Sequence, residues 1–157
     1  MAPTLEEKAK CFLNMGRLME QMHDFEMAIK YYSTALSLEP INNETWYFIY
    51  NNLGFSLNQL QRYAEAESYC RQAIQIEPQR HNAYKNLGVA MEGQSDYFAA
   101  AKCFIQSVQT NAADPRALKH LEQLAEKHPT VTVDMVNFES QLEICRTAVA
   151  KRLGLTG

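Results

Sequence analysis

The 157 residues are 46% apolar and 21% charged, with a formal net charge of −3, a composition ordinary for one soluble globular domain with a sizeable core. The mild negative charge argues against a nucleic-acid binder, which carries a strong basic excess. No stretch approaches the ~18 consecutive apolar residues of a membrane span.

The chain starts with charged residues from Met1 to Lys10 and no apolar signal-peptide core, so cytoplasm is the expected compartment. Thr4 to Glu7 reads as a capping box, opening a first predicted helix from about Leu5 to Met22. His23-Asp24 make a turn, and a second helix runs to about Leu38, ended by Glu39-Pro40. A third helix is capped near Asn42 or Asn43 and runs to about Leu60. The fourth spans about Arg62 to Ile76, before Glu77-Pro78. The fifth spans about Asn82 to Glu92, with Gly93-Gln94-Ser95 as the turn, and the sixth about Tyr97 to Gln109. Asp114-Pro115 opens a seventh helix, with Asp as N-cap and Pro at the first position; Ala117, Leu118, Leu121 and Leu124 follow at helical spacing. After a break at His128-Pro129-Thr130-Val131, a last amphipathic helix is expected over about 133–153. Its stripe of Met135, Phe138, Leu142, Cys145 and Val149 must be buried, against the seventh helix, a second copy of the chain, or a groove.

A repeat underlies these elements. Tyr50-x-x-Leu53-Gly54-x-x-Leu57, Ala66-x-x-x-Cys70, Ala73 and Pro78 recur 34 residues on as Tyr84-x-x-Leu87-Gly88-x-x-Met91 and Ala100-x-x-x-Phe104. Phe12, Met15-Gly16, Met19, Phe25, Ala28, Tyr32, Ala35 and Pro40 fill the same frame earlier. Gly16, Gly54 and Gly88 lie mid-helix, where glycine costs about 0.5–1 kcal/mol relative to alanine, so one packing reason must serve all three. Close approach of the paired helix, met by Ala28, Ala66 and Ala100, is the expected reason. The first two repeats are 38 apart rather than 34, as Gly16 to Gly54 shows. Four extra residues are about one helical turn, read as an N-terminal extension of the third helix beside an equally extended first helix.

This pattern resembles the tetratricopeptide repeat family. The resemblance covers repeats at about 9–42, 47–80 and 81–114, with a capping helix at about 115–127. Cys70, Ser107 and Ala112 depart from the family pattern. The resemblance implies an all-α, right-handed superhelical stack of antiparallel helix pairs, an α-solenoid, forming a single domain. It also implies a concave groove lined by Lys10, Leu13, Asn14 and Arg17, then Phe48, Asn51, Asn52 and Phe55, then Asn82, Lys85, Asn86 and Val89.

Asn14, Asn52 and Asn86 recur at one offset. Their carboxamides either pair with an extended peptide backbone or bond locally. Phe48 and Phe55, one heptad apart with amides between them, have the character of a hot spot unless neighbouring helices cover them. Lys10, Arg17 and Lys85 either favour an acidic or C-terminal segment or form a solvated face. Some tetratricopeptide domains of chaperone co-factors hold a C-terminal carboxylate with two Lys, two Asn and an Arg; only Asn52 fits that clamp cleanly. Shifted by one repeat, the clamp would use Asn86, Arg116 and His120, but Asn51 and Phe55 break its start.

Cys11, Cys70, Cys103 and Cys145 make no C-x-x-C and have no zinc-spaced histidine; they read as buried thiols of a reducing compartment. His23, His81, His120 and His128 are scattered over turns and helices, so no catalytic set gathers. The expectation is a non-catalytic scaffold binding a protein or peptide, with no cofactor or metal. A homo-oligomeric assembly protein, with a homodimer as one form, or a secretion-type chaperone for an unfolded client, are the alternatives.

Overall fold

The computed structural model describes residues 1–155, and every regular element among them is helical. Two compact units divide the chain at Pro78 and Gln79. The first holds α1 (Leu5–Gln21), α2 (Phe25–Ser37), α3 (Asn43–Gln59) and α4 (Tyr63–Ile76). The second holds α5 (His81–Gly93), α6 (Tyr97–Thr110), α7 (Arg116–Lys127), α8 (Thr130–Asp134) and α9 (Phe138–Arg152).

The hairpins α1–α2, α3–α4 and α5–α6 close with one repeated device. His23, Gln61 and Ser95 adopt left-handed backbone, with φ of 60°, 59° and 64°. The next amide then reaches back to the carbonyl of Met19, Leu57 or Met91, at 2.9 Å in each case. That geometry satisfies helix-end carbonyls and usually calls for glycine. The residue after the turn starts the second helix: Asp24 and Asp96 accept from the amides of Met27 and Ala99 at 3.1 and 3.0 Å, whereas Arg62 makes no side-chain cap.

The mid-helix glycines have a packing role, but their partners differ from expectation. A Cβ on Gly16 would lie 2.3 Å from the Tyr32 ring, on Gly54 2.4 Å from Cys70 Sγ, and on Gly88 2.5 Å from the Phe104 ring. Each glycine therefore makes room for the bulky residue of the paired helix. Ala28, Ala66 and Ala100 are fully buried, yet of the three only Ala66 is among its glycine's nearest neighbours, through its carbonyl at 3.4 Å from a Cβ on Gly54.

In the first unit, Ala9, Leu13, Ala28, Tyr32, Ala35, Ile49 and Leu53 form the core. The extra turn is visible in helix length: α1 and α3 have 17 residues each, α5 only 13. The two extensions are joined by Glu6. Its carboxylate accepts from the Thr45 hydroxyl at 2.6 Å and from the amides of Ile41 and Asn42 at 2.8 and 3.3 Å. Burial opposes ionisation of Glu6, but these bonds and the Lys10 ammonium outweigh it and hold its pKa below the usual value.

In the second unit, Phe104, Val108, Leu121, Leu124, Phe138, Leu142, Cys145 and Val149 are buried. The α9 stripe packs on α6 and α7 of its own unit, so it is taken up within the chain. The single helix expected over 133–153 is broken into α8 and α9, and Met135 stands in the break. Thr130, Val131, Thr132 and Val133 are β-branched and poor helix formers. Asn137 takes left-handed backbone, φ 64°, which asparagine tolerates. The α7 start also shifts by one residue: Pro115 is its N-cap, and Asp114 accepts the Arg116 amide at 3.0 Å.

Candidate functional site

A concavity of the first unit lies between α1 and α3. It is a cleft of about 250 Å³ lined by Lys10, Leu13, Asn14, Arg17, Glu44, Thr45 and Phe48. The helical positions 10, 13, 14 and 17 share one face of α1, and the extra turn of α3 supplies Glu44 and Thr45 as the far wall. The Arg17 guanidinium sits 4.7 Å over the Phe48 ring, a cation–π contact that holds both side chains in place. Arg17 also donates to Asn14 Oδ1 at 3.4 Å. Phe48 is half-buried, with its ring edge-on to Tyr47 at 5.4 Å. Lys10 lies 3.5 Å from Glu6.

One turn deeper, Asn51 and Asn52 belong to a polar network. Asn51 is buried and donates to Asn52 Oδ1 at 3.0 Å. Asn52 Nδ2 lies 3.5 Å from the Tyr32 hydroxyl. Tyr32 in turn hydrogen-bonds Glu20, and Ser56 donates to Glu20 Oε1 at 3.0 Å. Burial raises the Glu20 pKa, outweighing the Tyr32 and Ser56 bonds and the charge of Arg17. Burial, then the Glu20 charge and its hydrogen bond, push the Tyr32 phenol well up, so it stays a donor. Asn52 thus has a fixed amide orientation and retains one donor and one acceptor direction beyond its described partners. Phe55 points elsewhere, half-buried and edge-on to Phe25 at 6.2 Å.

The second unit places its four expected positions differently. Asn82 accepts from Arg116 at 2.9 Å, and Arg116 is gripped by Asp114 through bonds of 2.9 and 3.0 Å from Nε. The Arg116 bond, opposed by burial, holds the Asp114 carboxyl far below its usual range, with His81 adding a 2.9 Å contact. Lys85 and Asn86 are buried, and Val89 is half-buried. His120 stacks on Phe104 with ring centroids 5.1 Å apart. Burial, then the charges of Lys85, Lys119, Lys127 and Arg116, lower its pKa to about 4.

Sequence reasoning missed Glu20, Tyr32 and Ser56. Their signal was present: Glu20 continues the Arg17 stripe at i+3, and Ser56 continues the Asn52 stripe at i+4. Among the described residues no group of three or more His, Cys, Asp or Glu gathers to hold a metal ion, and no helix is long and apolar enough to cross a membrane.

Residues 9–42 and 47–80 each match a tetratricopeptide repeat family model. The chain belongs to the tetratricopeptide repeat family. Human tetratricopeptide repeat protein 7B is 28% identical over 100 residues, covering 64% of this chain and 11% of the relative. The wheat Hsp70-Hsp90 organizing protein is 27% identical over 115 residues, covering 73% of this chain and 17% of the relative. This tetratricopeptide chain spans about a tenth of the length of the curated relatives it first matches. Among solved structures, the first tetratricopeptide domain of Spaghetti (RPAP3), bound to the HSP90 peptide SRMEEVD, aligns with a TM-score of 0.69 at 20% identity, over 78% of this chain and 96% of that one. The Saccharomyces cerevisiae Hsp90 co-chaperone Cns1 aligns with a TM-score of 0.77 at 19% identity, over 98% of this chain and 49% of that one. At these identities the likeness establishes the repeat fold.

Proposed function

We propose that this chain is a non-catalytic protein-interaction module whose first unit captures an extended partner segment on the α1–α3 face. The observation that carries the reading is the cleft in which Arg17 lies over Phe48. The cleft combines an aromatic surface, two cations in Lys10 and Arg17, the Glu44 carboxylate and the Asn14 carboxamide, and the Asn52 carboxamide lies outside its lining, one turn further along α3. Such a surface suits a peptide with an acidic group: the backbone pairs with the amides, and the acid meets Arg17 and Lys10. Asn51 supports Asn52 through its hydrogen bond, and Phe55 packs on Phe25 away from the cleft. In the second unit, Asn82, Lys85, Asn86 and Val89 are candidate contacts of the same kind, with Asn82 already engaged by Arg116. Peptide-bound domains of the same fold, such as the second domain of human RPAP3 with the HSP70 peptide SGPTIEEVD, support peptide capture as the class. The cytoplasm is the proposed setting, consistent with cysteines that form no disulfide among the described residues.

The test is capture of partners on the immobilised chain, followed by affinity measurement with Phe48→Ala and Asn52→Ala. Loss of about tenfold or more in either variant is the expected result for a hot spot. Undiminished binding in both moves the site off this face.

A further inference from the structure

The hydrogen bonds beneath the α1–α3 face share one direction. Asn51 Nδ2 donates to Asn52 Oδ1 at 3.0 Å, and Asn52 Nδ2 donates to the Tyr32 hydroxyl across 3.5 Å. Tyr32 donates to Glu20, and the Ser56 hydroxyl donates to Glu20 Oε1 at 3.0 Å. Every donor in the chain runs toward Glu20. Amides and hydroxyls both donate and accept, so by themselves they leave the direction open. An ionised carboxylate only accepts, and its place at the end of the chain closes the choice.

That direction reaches the surface through Asn52. With Nδ2 turned to Tyr32 and Oδ1 to Asn51, the amide keeps one N–H and one lone pair beyond its described partners, each on a fixed side. Reversal of the chain exchanges the two sides, and a bound backbone then finds a donor where it needs an acceptor. The groups that fix the direction lie inside the unit. Tyr32 is 0% exposed and Glu20 half-buried. α1 packs on α2 and α3. The charged and titratable groups that bear on Glu20 from them are Arg17, one turn earlier on α1, and Tyr32 of α2; α3 supplies the Ser56 hydroxyl. In the second unit the residue opposite the helix glycine is Phe104, whose ring carries no hydroxyl, so this chain cannot be built there.

We propose that Glu20 and Tyr32 are positioning residues of the α1–α3 face: the carboxylate, acting through the Tyr32 hydroxyl, fixes which edge of the Asn52 amide meets a bound segment. Its consequence for binding rests on the capture proposed above; the amide orientation does not. A proton on Glu20 turns the acceptor into a donor and frees the chain to reverse. Burial raises the Glu20 pKa, which brings that event into mild acid.

The side-chain amide resonances of Asn52, in the isotope-labelled full chain, test the orientation. In the wild type the pair shifts with pH in step with the Glu20 carboxyl carbon. In Tyr32→Phe it ignores the Glu20 titration, and in Glu20→Gln it shows exchange between two orientations at every pH. Tyr32→Phe is expected to fold, since α6 holds a phenylalanine in the same niche against Gly88. An Asn52 pair that follows Glu20 equally in wild type and Tyr32→Phe, or ignores it in both, overturns the proposal. Binding is read with a randomised heptapeptide pool carrying one glutamate per peptide. Tyr32→Phe retains about threefold to tenfold less of the pool, the worth of one hydrogen bond, although Tyr32 is out of a partner's reach. Asn52→Ala added to Tyr32→Phe costs nothing further, whereas Phe48→Ala does. Fully additive losses for Tyr32→Phe and Asn52→Ala also overturn the proposal. A pool that the wild type does not retain refutes the capture proposed above, and the amide resonances then decide the role of Glu20 and Tyr32 by themselves.

Discussion

The two units use the same hairpin and put different chemistry behind it. In the first, the bulky residue opposite the helix glycine is Tyr32, and its hydroxyl opens a polar network through Glu20, Ser56 and Asn52 up to the α1–α3 face. In the second, the equivalent residue is Phe104, which has no hydroxyl, and an imidazole stacks on it instead. The asparagine that follows the helix glycine frame diverges in step. Asn14 is exposed beside Arg17, Asn52 is tied to Tyr32, and Asn86 is buried. A residue recurring at one repeat offset therefore does not recur in one role; the partner across the hairpin decides what it can do.

The glycine series breaks or sharpens this comparison most strongly. Gly88→Ala drives a methyl into the fully buried Phe104 ring. A cost of about 2–3 kcal/mol is expected from overpacking, reduced by up to about 1 kcal/mol of helix propensity. Gly54→Ala presses on the Cys70 thiol, a single side-chain atom, with the Ala66 carbonyl at the tight end of ordinary contact, so its net effect should be smaller, within about 1 kcal/mol. Thermal unfolding of both variants checks the contrast, and equal losses would show that the bulky partner is not what the glycines serve.

Acid should act on His120 and Glu20 in opposite directions. His120 has its pKa lowered to about 4, so its stabilising effect is complete above the unfolded value of 6.5 and is lost as pH falls towards 4. The loss is on the order of 2 kcal/mol once its partial exposure is discounted. Glu20 has its pKa raised above 4.5, so its own contribution to the first unit grows as pH falls through that raised value, while that of Glu6, with a lowered pKa, diminishes. Amide exchange followed from pH 6.5 to 4.5 separates them. His120→Gln should make the second unit lose less stability with acid, and Glu20→Gln should make the first unit lose more; an unchanged slope in both variants would remove the distinction.

The smallest expected effects come from what the hairpins share. Ser95→Gly and Gln61→Gly each relieve a left-handed backbone and should add about 0.5–1 kcal/mol in thermal unfolding. No gain at either position would mean that the side chains there are held by contacts worth as much as the strain.

Helices and repeats were legible because the period and the apolar spacing are properties of the chain itself. The 38-residue offset likewise exposed the extra turn of α3, since inserting four residues in a helix keeps its face. The left-handed turns were not legible, because His23, Gln61 and Ser95 are not glycines and the fold imposes their conformation. The break before Phe138 was missed because positions 131, 135, 138 and 142 keep helical spacing across it. The candidate site was legible in Arg17, Phe48 and Asn52, which lie on the surface helix faces. Its supports were not: Glu20 meets Ser56 36 residues away, and only the packed hairpins bring them together.

The Glu6 carboxylate, finally, changes how the first unit should come apart. Most of the hairpin's own bonds span three to five residues and can open one turn at a time, as helix ends do when they fray. Glu6 instead reaches 35 to 39 residues along the chain, to Ile41, Asn42 and Thr45. The terminal turn of α1, the linker after α2 and the first turn of α3 thereby become one cooperative block. The first of the matched repeats is thereby latched to the beginning of the next.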